Sequence, residues 1–216
     1  MQKSFTDEQR RSHRTAIAWL WLAIAAILLL FSNGANTIPL AAWLSPVLLL
    51  RFVRSQSLKV GLPVAYALLT AAFAFQFRGM IPIPGAGYYI FLTGWGITLI
   101  LPYLVDRLVA HRLSGLTASL VFPAAWAATE YLASWAPYGS WGSAAYSQYG
   151  NLALLQTLSV TGLWGVTFLI GWFAAICNWL WEDRFDSKRA RRGASLSFGT
   201  IALVSEPETD ALLSSI

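Results

Sequence analysis

Residues 131–181 read YLASWAPYGSWGSAAYSQYGNLALLQTLSVTGLWGVTFLIGWFAAICNWLW, 51 positions without a single Asp, Glu, Lys, Arg or His, closed at the two ends by Glu130 and Glu182. A water-exposed surface does not have that composition. Within it Trp135, Tyr138, Trp141, Tyr146 and Tyr149 alternate with Gly139, Gly142, Ser143, Ser147 and Gln148. The pattern avoids charge and keeps hydrogen-bonding groups, the chemistry of a lipid–water boundary where amphipathic rings settle. The stretch is expected to face or enter the outer side of a bilayer.

The rest of the chain agrees. Apolar residues are 56% of the 216 and charged residues 12%, against roughly 25% charged in soluble domains. The net charge of +5 does not make a nucleic-acid binder, because Lys and Arg are spread between apolar runs rather than gathered on one face. Cys177, the one cysteine, excludes an intramolecular disulfide and a Cys-rich metal site, and its neighbours Ile176 and Asn178 read as a packed helix interior. No Gly-rich phosphate loop, Ser/His/Asp set or metal-ligand spacing occurs, so no cofactor and no metal are expected. His13 and His111 sit on polar flanks as solvated side chains.

A spanning helix needs about 20 apolar residues, with roughly 17 to 25 tolerated. Six stretches qualify: 15–31, 38–52, 61–77, 88–105, 113–134 and 163–181. The second is short and carries Pro39 and Pro46. The expected fold is therefore all-α, a polytopic transmembrane bundle of about six spans, with an incomplete seventh at 193–204. Lys and Arg are retained on the cytoplasmic side of short loops. Here Lys3, Arg10, Arg11, Arg14, Arg51, Arg54, Lys59, Arg107, Arg112, Arg184, Lys188, Arg189, Arg191 and Arg192 all flank the same side, fourteen of the fifteen basic residues, and only Arg78 does not. That places the amino terminus in the cytoplasm. The domain expectation is a basic cytoplasmic segment 1–14, a membrane domain 15–181 with an outer aromatic loop 135–151, and a basic cytoplasmic segment with a truncated tail, 182–216. Within the outer loop, Asn151 is expected to cap a short interfacial helix that ends where Thr161 and Gly162 break it.

Trp126, Glu130 and Leu132, then Gly139, Trp141 and Gly142, then Tyr146-Ser147-Gln148, then Gln156, Gly162, Gly165 and Phe168 resemble the membrane part of bacterial apolipoprotein N-acyltransferase. Pro39 to Arg51, with Trp43 and Pro46, resembles that family's second span. The resemblance covers roughly residues 16–181. Ala133 stands where many members carry Arg. The resemblance implies phospholipid and lipoprotein as partners within a lipid bilayer, in the inner membrane, for transfer of an acyl chain to the lipoprotein's amino terminus. It also implies a separate outer catalytic domain with Glu, Lys and Cys, and none of those three can be assigned in this chain. The chain is thus expected to be inactive alone, a fragment or lone membrane module. The competing class is a non-enzymatic membrane protein, transporter-like or scaffold, which would show paired intramembrane charges or matching broken helices.

Glu130 is the one acid inside an apolar run, where a charge is costly and usually tied to function. It is a candidate site residue with Trp135, Trp141, Tyr146, Ser147 and Gln148, expected to meet lipid or substrate. The bland readings are a structural carboxyl for Glu130, interfacial anchors for the rings, and a loop closed on itself by Ser147 and Gln148. Gly94 and Gly96, with Thr93, are expected to permit close helix packing.

Overall fold

The computed structural model describes residues 2–182, and all regular structure among them is helical. Eight α-helices follow one another: α1 (Gln2–Leu29), α2 (Pro39–Ser55), α3 (Leu58–Gln76), α4 (Ala86–Val109), α5 (Leu116–Ser119), α6 (Val121–Ala133), α7 (Leu152–Gln156) and α8 (Leu158–Glu182). The all-α expectation holds. The incomplete seventh run and the tail beyond Glu182 lie outside the described residues.

The count of six spans is not matched element for element. Among the described residues three helices are long and apolar enough to cross a membrane: Leu58–Gln76, Ala86–Arg112 and Leu158–Glu182. The reasons are local. Helix α2 has 17 residues and ends in Arg51 and Arg54. The apolar part of α1 is Thr15–Leu29, although its helix begins at Gln2, so the basic residues 2–14 are continuous with it. The run 113–134 breaks twice. Gly115 takes φ +62°, and Pro123, third residue of α6, has no N–H to continue the ladder from α5 and would crowd the Ser119 carbonyl. Thus α5 and α6 hold 4 and 13 residues.

Helix α2 is the centre of the bundle. Leu49, Leu50 and Phe52 are fully enclosed, and Ala41, Ala42, Val47 and Val53 are also buried, as expected for a helix that is apolar all round. It packs on α1, α3 and α8; α8 packs on α6, α6 on α4 and α4 on α3. The ring so formed is fastened by polar bonds as well as by packing. Asn178 Nδ2 of α8 donates to the Val47 carbonyl at 2.9 Å and to Ala174 at 3.0 Å, the kind of interhelical bond that works where lipid offers no partner. Gly96 lets α4 lie against α3, since a Cβ there would overlap Thr70 and Tyr66; Gly94 has open space around it. Close packing therefore needs Gly96 and not Gly94.

Antiparallel neighbours bring alternate loops together. The connections 32–37, 78–87 and 136–151 meet at one end, where Asn33 Nδ2 donates to the Ser143 carbonyl at 3.1 Å and Phe77 lies 4.5 Å from Trp141, ring to ring. Arg51, Arg54, Asp106, Arg107 and Glu182 meet at the other. There Arg54 donates twice to Asp106, at 2.8 and 2.7 Å, with Asp106 only 1% exposed. The Arg51 guanidinium lies over Trp21 and Trp181, at 5.2 and 5.5 Å from the ring centroids. The charged flanks and the aromatic loop thus occupy opposite ends of the bundle.

Candidate functional site

The aromatic loop is built downward onto Glu130. This carboxylate, near the end of α6, accepts bonds from Ser143 Oγ at 2.7 Å, Thr167 Oγ1 at 2.7 Å and the Ala144 backbone N–H at 2.9 Å. Three donors from the loop and from α8 converge on one acid, which meets the requirement that a buried polar group be satisfied. Glu130 therefore joins three elements, α6, α8 and the loop, at one point. The Ala133 position, where a basic residue was the family expectation, lies on the wall of a small neighbouring cavity with Trp95, Trp126 and Trp164.

Ser147 and Gln148 are enclosed, at 0% and 2% exposure. Gln148 Nε2 donates to the Pro39 carbonyl at 3.2 Å and to Ser147 Oγ at 2.8 Å, while its Oε1 accepts from Trp43 Nε1 at 3.1 Å. Ser147 Oγ donates to the Ala144 carbonyl at 2.7 Å. The tripeptide thus ties the loop to the start of α2 and to itself, which is the self-closing arrangement. The loop is shaped by Ser143, which caps a 3₁₀ turn (Ala144–Gln148) by accepting from Ala145 N. Asn151 caps α7 by accepting from Leu154 N at 3.2 Å; α7 ends at Gln156, earlier than the expected stop at Thr161 and Gly162, and Gly162, at φ +65°, instead kinks α8, which has already begun at Leu158.

Above this frame lies an open groove of about 490 Å³, lined by Asn33, Gly34, Thr37, Phe77, Met80, Tyr138, Ser140, Trp141, Tyr146 and Tyr149. All three loops of this end contribute. Its wall is five aromatic rings and a thioether, and among the described residues no Asp, Glu, Lys, Arg or His lines it. Tyr146 and Ser140 bond hydroxyl to hydroxyl at 2.8 Å. Gly142 lets the loop lie against α4, because a Cβ at Gly142 would overlap the Trp95 ring. Below the loop an axial cavity of about 70 Å³ is bounded by Ser45 and Pro46 of α2, Gln76 of α3, Tyr103 of α4, and Trp126 and Glu130 of α6.

The six sequence candidates therefore separate. Trp141 and Tyr146 line the groove. Glu130 stands beneath it, and Ser147 and Gln148 fix its floor to α2. Trp135, 74% exposed, packs edge-on to Tyr131 at 5.6 Å and lies outside the groove lining. Sequence reasoning named Ser143 as a loop residue but did not mark Ser143, Thr167, Asn33 or Gln76 as part of the site. Gln76 Nε2 bonds Ser32 Oγ at 3.0 Å and the Leu29 carbonyl, joining α3 to the end of α1. The signal for Ser143 and Thr167 was Glu130 itself, since an acid inside an apolar run demands donors nearby. Among the described residues no group of three His, Cys, Asp or Glu side chains is placed to hold a metal. Cys177 packs against the main core cluster.

Residues 25–176 match the family model described as the apolipoprotein N-acyltransferase N-terminal domain. The chain belongs to this family. The match covers α2 through α7 in full and most of α8, so the loop, Glu130 and the groove all fall inside the N-terminal domain of this N-acyltransferase family. No curated protein matches the sequence. No solved structure matches it either.

Proposed function

We propose that this chain is the lipid-handling membrane module of an N-acyl transfer from phospholipid to lipoprotein, in lipoprotein maturation at the inner membrane. The observation that carries this is the groove at the aromatic end. An acyl chain needs an apolar, conformationally tolerant wall, which Phe77, Met80, Trp141 and three tyrosines supply. The ester region of a lipid needs uncharged donors and acceptors at the rim, which Asn33, Thr37 and Ser140 supply. The aromatic end faces outward in this proposal, as the bias of fourteen basic residues toward the other flank supports, with all six apolar runs embedded and the amino terminus cytoplasmic.

The same proposal assigns the covalent chemistry to a catalytic domain working over this surface. Acyl transfer through a thioester needs an activated thiolate beside a base. The single thiol of these residues, Cys177, is packed in α8 among apolar neighbours, so residues 1–216 alone should transfer nothing. Lipid contact by Trp141 and Tyr146 is part of the proposal; Glu130, Ser147 and Gln148 act through the shape they give the loop, and Trp135 as an interfacial anchor.

The test joins this chain to an active catalytic domain and compares variants at the exposed tyrosines of the groove. Tyr146→Ala and Tyr149→Ala should lower transfer while the amount of folded protein stays the same, because Tyr149 is 71% and Tyr146 43% exposed. Unchanged transfer in the double variant overturns the assignment of the groove.

A further inference from the structure

The opposite end of the bundle holds a second cleft, of about 370 Å³, between α2, α4, α5 and α8. Its floor is the Arg54–Asp106 pair and Arg107, its wall includes Ala118 and Trp179, and His111 lies at its rim. Among the described residues the charges here do not balance. Asp106 is covered by the two bonds from Arg54. Glu182 is shared between Arg51 at 3.3 Å and Arg54 at 3.5 Å. Arg107 bonds only neutral carbonyls, Arg54 O at 2.9 Å and Gln56 O at 3.0 Å. Among the described residues three guanidinium groups thus face two carboxylates, and the charge without a carboxylate partner there belongs to Arg107.

The setting is interfacial. Leu113, which lines the cleft, is 44% exposed, and Trp181 is also exposed beside the Arg51 guanidinium. Because Arg107 is already held by two carbonyls, little side-chain freedom remains to be lost when an anion arrives. A basic, part-apolar cleft between helix ends on the cytoplasmic side is suited to a lipid headgroup. We propose that this cleft binds a phosphate-bearing anion, presented by an anionic phospholipid of the adjoining leaflet or free in solution, and that Arg107 supplies the attracting charge. The site is independent of the groove at the aromatic end.

The test uses the full chain in nanodiscs, with Cys177→Ala as background and His111→Cys as a reporter labelled by an uncharged maleimide. Lys59→Cys, exposed at the same end, is the control. Phosphatidylglycerol, compared with phosphatidylcholine alone, should slow labelling of His111→Cys and not of Lys59→Cys. Arg107→Gln should weaken that protection about fivefold, the usual worth of one interfacial cation, and Arg107→Lys should keep most of it. Should Arg107→Gln fail to fold, Ala118→Glu places a negative charge on the cleft wall and should abolish protection. Inorganic phosphate added to phosphatidylcholine nanodiscs distinguishes the sources: no effect identifies the lipid headgroup, and equal protection identifies a free anion. Protection by neither, or equal protection of both cysteines, overturns the proposal.

Discussion

Removing Glu130 is the perturbation whose effect the structure fixes most closely. Glu130→Ala deletes one acceptor and leaves three donors without it: Ser143 Oγ, Thr167 Oγ1 and Ala144 N. Each donor stranded in a buried setting costs about 1 to 3 kcal/mol, so the minimum for three is about 3 kcal/mol. Two of the donors lie in the aromatic loop, where the Asn33 bond to the Ser143 carbonyl remains as a tether to the neighbouring loop. The loss should therefore appear as local opening rather than global unfolding. A shift of about 3 kcal/mol raises the open population about a hundredfold. Ala145, 2% exposed beside these donors, is a suitable reporter. In a Cys177→Ala background, Ala145→Cys should react with a thiol reagent about a hundredfold faster when Glu130→Ala is added. Tyr149→Cys, on a residue already 71% exposed, should be unaffected. Glu130→Gln keeps the shape and one carbonyl acceptor and should give an intermediate rate. A rise of less than about threefold in Glu130→Ala would refute the role of this carboxylate as the support of the loop.

Other consequences follow from the same contacts. Gln148→Ala strands Trp43 Nε1 and empties a fully enclosed site, so it should lower thermal stability in detergent by about 2 to 4 kcal/mol, with activity falling only as folded protein is lost. Asp106→Asn leaves Arg54 without its buried counter-charge and should cost about 3 to 5 kcal/mol by the same measurement, whereas replacing both partners by apolar residues should cost much less. Gly96→Val should separate α3 from α4 and lower the melting temperature, whereas Gly94→Ala, in open space, should be neutral or slightly stabilising. Single cysteines at Asn33, Gly85 and Tyr138 should react with an impermeant thiol reagent in intact cells and a cysteine at Lys59 should not; the reverse pattern would invert the topology.

Much of the architecture was legible because the apolar runs are long and charge is confined to their flanks. Lys and Arg alone put the basic flanks on one side and the aromatic loop on the other, and in the fold Arg51, Arg54 and Arg107 lie at one end of the bundle and the loop at the other. The Asn151 cap and the break at Gly162 were readable from side-chain chemistry and from the glycine. Span lengths were less legible. Hydropathy averages over Gly115 and Pro123 as if the run 113–134 were continuous, while the backbone turns at Gly115 and the helix is interrupted at Leu120, just before Pro123. The site was readable in composition and not in role. Ser147 and Gln148 are polar residues in an apolar loop, a pattern common to ligand contacts and to internal fastenings, and only the partners Trp43 and Pro39, more than a hundred positions away, decide for fastening. In the same way Gly94 and Gly96 look alike in sequence, and only the position of Thr70 separates them.

The central claim is that the groove between the three loops holds a lipid acyl chain. The most direct measurement is photocrosslinking of the full chain in nanodiscs with a phospholipid carrying a diazirine near the end of one acyl chain, with sites mapped by mass spectrometry. Adducts concentrated on Met80, Tyr138, Trp141 and Tyr146, and reduced by Trp141→Ala, are the predicted result. Adducts confined to outward helix faces such as Ile90, Ile27 and Leu132, which are exposed along the bundle, with none in the groove, would contradict it.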